Sequence, residues 1–133
     1  DDWAGMPRTF LGMQAEGFPN LLMVLGPHTA RGNIPRNIEE IVDWLTGLIR
    51  HMRAHGLRRV APRPGAVADW VAHVEEAASR LLFSQVNSWQ TGVNRNVEGR
   101  DVRRTLGYYG GAVAYRRKIE AVAAGGYQEF EFG

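Results

Sequence analysis

Gly17-Phe18-Pro19-Asn20-Leu21-Leu22-Met23-Val24-Leu25-Gly26-Pro27 is the stretch on which the fold turns. Gly17, Pro19 and Asn20 read as a turn, residues 21–25 as a short apolar strand, and Gly26-Pro27 as a sharp exit into a loop. A continuous apolar run of this length predicts a strand buried on both faces, the pattern of a parallel sheet. Residues 26–36 read as a loop punctuated by Gly26, Pro27, Gly32, Asn33 and Pro35, and a helix is expected to start at Asn37. A strand leading through a glycine turn towards a helix N-terminus presents free N–H groups to an electron-rich ligand. Yet the sequence offers neither a second strand able to pair in parallel with this one nor a Gly-rich dinucleotide fingerprint. The expectation is a strand that belongs to a larger sheet, in a chain that is part of a longer protein.

Outward from this stretch, helical periodicity dominates. Asn37 is the expected N-cap, with Glu40 three residues on as the capping-box acid. Ile38, Ile41, Val42, Leu45, Leu48, Ile49 and Met52 recur on one helical face, and Gly56 ends it. Residues 57–61 read as a short edge strand or turn before Pro62, Pro64 and Gly65. A second helix is expected over about residues 66–82, with Val67, Trp70, Val71, Val74, Ala78, Leu81 and Leu82 as its stripe. Residues 84–107 are polar with little periodicity, and a loop of that length is a functional lid or a disordered segment. A third helix spans 112–124 and stops at Gly125-Gly126. Residues 127–132 alternate apolar and acidic side chains and read as a terminal strand. The fold class is α+β and mainly helical: three amphipathic helices plus one or more short strands.

The 133 residues are 44% apolar, enough for one packed domain. No window of about 18 apolar residues exists to span a membrane. Asp1 to Pro7 are acidic and lack the apolar core of a signal peptide. Absence of cysteine excludes disulfides and thiolate metal sites and fits a reducing compartment, so a cytoplasmic location is expected. The net charge is +2, and fifteen of the sixteen basic residues are Arg. They are scattered, with no aromatic-interleaved basic stripe, so neither nucleic acid nor membrane is expected as a partner.

Few side chains propose chemistry. His51 and His55 have the spacing of a two-His metal face, but Met52 stands where a metalloprotease has Glu, and no third ligand is signalled. They read as surface histidines, as does His73 beside Glu76, and no metal is expected. Glu39, Glu40 and Asp43 read as helix-capping acids that complement the dipole rather than as an acid–base pair. Ser79, Ser84 and Ser88 lack a nucleophile elbow, so no catalytic residue is assigned. Trp89 lies in a polar, glycine-containing loop that amphipathic periodicity does not explain. It either plugs a satellite core or offers a ligand its flat face and indole N–H. The helix start behind Arg31-Gly32-Asn33-Ile34-Pro35-Arg36 is either a site for negative charge or simply a capped helix.

An ordered set of short stretches resembles the C-terminal part of flavin-dependent Baeyer–Villiger monooxygenases of the cyclohexanone, phenylacetone and hydroxyacetophenone monooxygenase type. It starts at Trp3-Ala4, Pro7 to Met13, Gly17 to Leu21 and Gly26-Pro27-His28. It continues through Asn33-Ile34-Pro35, Ile38-Glu39, Val42-Asp43-Trp44, Leu82-Phe83, Ser88-Trp89 and Thr91-Gly92-Val93-Asn94. It closes with Tyr108 to Gly111, Tyr115-Arg116, Val122-Ala123-Ala124 and Gly126-Tyr127.

The resemblance implies an enzyme that binds FAD and NADPH in two dinucleotide-binding domains, with the chain's short strands in its parallel or mixed sheet. Such an enzyme uses O2 to convert a ketone to an ester or lactone. It implies that Gly26, Pro27, Asn33, Ile34 and Pro35 lie against the flavin and that Trp89 touches the ribose side of NADP. Four parts follow: a flavin-adjacent strand, loop and helix (1–56), a helical buttress (57–83), a cofactor lid (84–111), and a last helix and tail (112–133). The family's glycine fingerprints, its Phe-x-Gly-x-x-x-His-x-x-x-Trp-Pro signature and its catalytic arginine have no counterpart here, so the chain alone is expected to be inactive and to need the upstream domains as partners. The family's lid continues into Ile-Pro-Gly-Lys, whereas here Asn94 is followed by Arg95-Asn96. Two other readings are a non-catalytic helical interaction module and a related N- or S-oxidising flavin enzyme.

Overall fold

The computed structural model describes residues 6–81, 91–98 and 103–133. In chain order the elements are β1 (Thr9–Phe10), β2 (Gln14–Ala15), α1 (Ile34–Ala54), β3 (Val60–Pro62), α2 (Pro64–Ser79), α3 (Ala112–Ala124) and β4 (Phe130–Phe132). Mainly helical architecture with a few short strands agrees with the sequence reading. Both sheets are two-stranded and antiparallel: β1 with β2, and β3 with β4 in the register Val60↔Phe132, Ala61↔Glu131 and Pro62↔Phe130. Among the described residues the parallel component is a single bridge, Ala30↔Tyr108.

Residues 21–25 do not form the expected buried strand. Leu21 and Val24 are 45% and 47% exposed, and only Leu22 bridges, antiparallel, to Gln14. Positive φ at Asn20 (63°) and Leu25 (57°) bends both ends of the run out of extended geometry. The run is held by Met23 N–H on Met13 O (2.8 Å) and by Asn20, which bonds β3 like a strand residue. Asn20 N–H donates to Val60 O (2.9 Å), and its side-chain oxygen accepts from Val60 N–H (2.9 Å). A short apolar run cannot by itself distinguish a buried strand from a surface strap, and here side-chain anchoring made the difference.

Helix α1 begins at Ile34, three residues before Asn37, the expected N-cap. Asn33 is the N-cap, its side chain accepting from Arg36 N–H (3.1 Å), and Ile34 and Pro35 open the first turn. Proline is tolerated there because its missing N–H has no intrahelical acceptor anyway. Asn37 sits one turn in, buried, donating from Nδ2 to Ala30 O (3.0 Å). At the other end Gly56 adopts φ 68°, with Gly56 N–H on Arg53 O (3.3 Å) and Leu57 N–H on Met52 O (2.9 Å), a Schellman termination.

The apolar face of α1 is wider than the core it meets. Ile41, Trp44, Leu45 and Leu48 are buried, while Ile34, Ile38, Val42 and Ile49 are exposed. Trp44 donates from Nε1 to Ile119 O (2.6 Å) and packs edge-on to Tyr127, fastening α1 to α3. Helix α2 contributes Val67, Trp70, Val74 and Ala78 to the same core. Tyr115 of α3 reaches across to Leu11 O (2.7 Å) in the β1–β2 turn. The third helix occupies the residues expected of it, because Gly111 and Gly125 flank a clean amphipathic segment; the terminal strand is confined to Phe130–Phe132, since Tyr127 takes φ 59° and opens a turn.

Candidate functional site

The first turn of α1 is open. Residues 31–36 are all exposed. Asn33 Oδ1 occupies the Arg36 N–H, Pro35 has none, and Ile34 N–H has no acceptor among the described residues. This end carries the positive pole of a 21-residue helix. Gly32, at φ 138°, has nothing within 4 Å of where a Cβ would stand, so the approach is unobstructed.

Gly26 and Pro27 lie in a different environment. A Cβ on Gly26 would stand 2.4 Å from Gly12 O, and one on Gly12 would stand 2.6 Å from Thr29 N and 2.8 Å from Pro27 O. The two backbones form a clasp that only glycine fits. Its carbonyls are engaged internally. Gly26 O accepts from Thr29 N–H (3.3 Å) and Thr29 Oγ1 (2.9 Å), and Pro27 O accepts from Thr9 Oγ1 (2.9 Å). Of the residues expected at one site, Asn33, Ile34 and Pro35 share the open turn, and Gly26 and Pro27 form the packed bend behind it. Trp89 lies outside the described residues, as do Leu82, Ser84 and Ser88.

The bend continues into His28, fully buried, which appears in the sequence only as part of the Gly26-Pro27-His28 match. Its Nδ1 lies 3.0 Å from Thr9 Oγ1 and its Nε2 3.0 Å from Thr105 O. Burial pushes the imidazole pKa down to about 4, against a smaller opposing effect of the Thr105 carbonyl. A histidine after a glycyl-prolyl turn was the available signal; which backbone it meets, 77 residues on, was not.

Glu40 is not a cap. It stands in the second turn and accepts from Arg36 Nε (3.1 Å) and from Arg116 of α3 (2.6 Å), so it joins the two helices. Burial raises the Glu40 carboxyl, but the hydrogen bonds from Arg116 and Arg36 outweigh it and hold the group below its ordinary value. Because α1 starts at Ile34, its first turn holds no acid at all, which removes the dipole role expected of Glu39, Glu40 and Asp43. His51 and His55 stack on each other at 4.3 Å, with His51 also against Tyr127, and no metal-holding cluster exists among the described residues. His73 is exposed but hydrogen-bonds Tyr108 through Nε2 (3.2 Å). Ser79 donates to Glu76 O (2.7 Å) within its own helix. No helix among the described residues is long and apolar enough to cross a membrane.

No family model matches the chain. Individual proteins do. It is 38% identical over 133 residues to acetone monooxygenase (methyl acetate-forming) of Gordonia sp. (strain TY-5), covering 98% of this chain and 24% of that protein. It is 38% identical over 128 residues to phenazine N-monooxygenase PhzNO1 of Lysobacter antibioticus, covering 96% of this chain and 23% of the relative. The crystal structure of cyclohexanone monooxygenase from Rhodococcus sp. Phi1 bound to NADP+ superimposes with a TM-score of 0.91 at 34% identity, over 99% of this chain and 24% of that one. The chain thus spans about a quarter of the length of the relatives it matches.

Proposed function

Since the chain is a segment of a Baeyer–Villiger-type flavin monooxygenase, we propose that it forms part of an FAD- and NADPH-dependent enzyme that inserts one oxygen atom of O2 beside a ketone carbonyl. The observation that carries this reading is the fold correspondence with NADP+-bound cyclohexanone monooxygenase along 99% of the chain. The bound cofactors would supply the electrons that split O2, one atom entering the ester or lactone and the other leaving as water.

The open first turn of α1 fits an electron-rich ring. Ile34 N–H has no acceptor among the described residues, and the helix pole stabilises adjacent negative charge by about 0.3 to 2 kcal/mol. In this reading Asn33, Ile34 and Pro35 hold and orient the reduced, negatively charged flavin, and the Gly26-Pro27 bend fixes the loop that delivers them. Residues 1–56 form the flavin-adjacent part, 57–83 a buttress, and 112–133 the closing helix and tail. Residues 84–111 cover the nicotinamide cofactor, with Trp89 on its ribose side. The ketone and O2 are met in the assembled enzyme, together with its FAD- and NADP-binding domains.

The test is a labelled turnover. The full-length protein containing this segment, given NADPH, 18O2 and a panel of small ketones, should consume NADPH in a ketone-dependent way and place one 18O in the ester. The isolated 133-residue chain should retain no FAD and oxidise no NADPH, and coexpression with the fingerprint-bearing remainder should restore a yellow, active protein. Ester formation by the isolated chain would refute the proposal. Oxygen delivered to nitrogen or sulfur and never to a ketone would favour the N- or S-oxidising reading, to which the phenazine relative lends its name.

A further inference from the structure

His28 is buried, polar and unused by the function just proposed. Its surroundings dictate its protonation. Nε2 faces the Thr105 carbonyl at 3.0 Å, and a carbonyl only accepts, so Nε2 carries the hydrogen and Nδ1 is the acceptor. The Thr9 hydroxyl, 3.0 Å from Nδ1 and 2.9 Å from Pro27 O, then serves two acceptors with one hydrogen. The ring therefore connects three segments far apart in sequence: β1, the bend at Gly26-Pro27, and residues 105–108.

The backbone repeats the connection. His28 N–H donates to Leu106 O (3.1 Å), Tyr108 N–H to Thr29 O (2.8 Å), and Arg31 N–H to Tyr108 O (3.2 Å). On its far side the same loop is bonded to α1, through Asn37 Nδ2 and Ala30 O (3.0 Å). A continuous hydrogen-bonded path thus runs from Thr105 through residues 28–30 to the beginning of α1. An aliphatic residue would fill the His28 volume without the cost of burying an imidazole. The ring offers what an aliphatic residue lacks, a donor and an acceptor on opposite sides.

We infer that His28 is a positioning residue of the monooxygenase reaction: by bonding Thr9 on one side and Thr105 on the other, it locks residues 105–108 to the Gly26-Pro27 bend and so sets where the open first turn of α1 stands. The inference rests on the reading of that turn as flavin-facing. Misplaced by a fraction of an ångström, the turn still binds cofactor but couples NADPH consumption to product less well.

The experiment uses the full-length, FAD-loaded protein with His28→Leu, His28→Gln and Thr9→Val. Leucine keeps bulk and loses both bonds, glutamine can still donate to Thr105 O, and valine removes only the hydroxyl. In His28→Leu, exchange of the backbone amides at position 28, Arg31 and Tyr108 should accelerate about tenfold, and ester formed per NADPH should fall about fivefold with FAD content retained, the scale set by one or two lost hydrogen bonds. Glutamine should restore most of both readouts, and Thr9→Val should lie between. If His28→Leu fails to fold, Thr9→Val carries the same two readouts. Active wild type with an indifferent His28→Leu or Thr9→Val, or glutamine no better than leucine, overturns this inference alone. A wild type that oxidises no NADPH with any ketone sinks the proposed function instead, and with it the catalytic half of this inference.

Discussion

Two glycine-bearing regions, read in the sequence as one ligand-facing site, behave oppositely in the fold. The clasp of Gly12 and Gly26 is packed to backbone contact, and its carbonyls are consumed internally. The turn from Gly32 to Arg36 is exposed, and Ile34 N–H meets no acceptor among the described residues. Glycine serves two ends here. In the clasp it lets two backbones meet, and ahead of α1 it lets the chain turn at φ 138° into a helix whose pole stays accessible. The clasp is therefore closed and the turn open.

The sharpest way to break this contrast is to add one methyl group. Gly26→Ala and Gly12→Ala drive a Cβ into backbone atoms and should each cost about 3 kcal/mol or more. Gly32→Ala meets open space and incurs only backbone strain, about 1 kcal/mol. Chemical denaturation of the full-length variants ranks them, and a Gly26→Ala as mild as Gly32→Ala would erase the distinction.

His28 extends the clasp and makes it pH-sensitive. Its folded pKa, about 4, lies below the ordinary 6.5 because burial disfavours the cation. Below 6.5 the unfolded chain takes up a proton that the native state refuses. Stability is thus complete above 6.5 and declines as pH falls towards 4, by about 3 kcal/mol in all. His28→Gln should flatten this window relative to wild type in urea titrations at several pH values.

The bond between α1 and α3 behind the open turn is weaker. Glu40→Gln should remove about 1 to 2 kcal/mol at neutral pH, since Arg116 is then left without its charged partner. The Glu40 carboxyl is held below its usual range, so its contribution is present above the unfolded carboxylate pKa and disappears as pH falls through the lowered folded value. A double-mutant cycle with Arg116→Met checks the coupling. Smallest is Asn33→Ala at the turn itself, about 1 kcal/mol for the lost cap. If the turn is the site, FAD retention falls in Asn33→Ala while the more damaging Glu40→Gln leaves it intact.

Much of the fold was legible. Helix α3 lies at its expected ends because glycines bracket it, whereas α2 spans Pro64–Ser79 rather than about 66–82: Pro64 is accepted in its first turn, and the helix ends before Leu81. Misreadings clustered between Asn20 and Glu40. There, Pro35 reads as loop although the first helical turn accepts it, and that single difference displaces the cap, the capping acid and the helix start together. The apolar run at 21–25 invited a strand because its residues are aliphatic, yet Leu21 and Val24 face outwards, as do Ile34, Ile38, Val42 and Ile49. For a segment about a quarter of its relatives' length, outward-facing aliphatic residues cannot be told from core by pattern alone.

From the order of residues alone came the helical class, the glycyl-prolyl bend, the helix pole beside it and the likeness to flavin monooxygenases, since periodicity, turn chemistry and ordered motifs are local properties. Which glycines are packed, which helix end stays exposed, and that His28 meets Thr105 were decided in three dimensions. Those facts depend on backbones distant in sequence being brought within hydrogen-bond reach, and no local propensity encodes that reach.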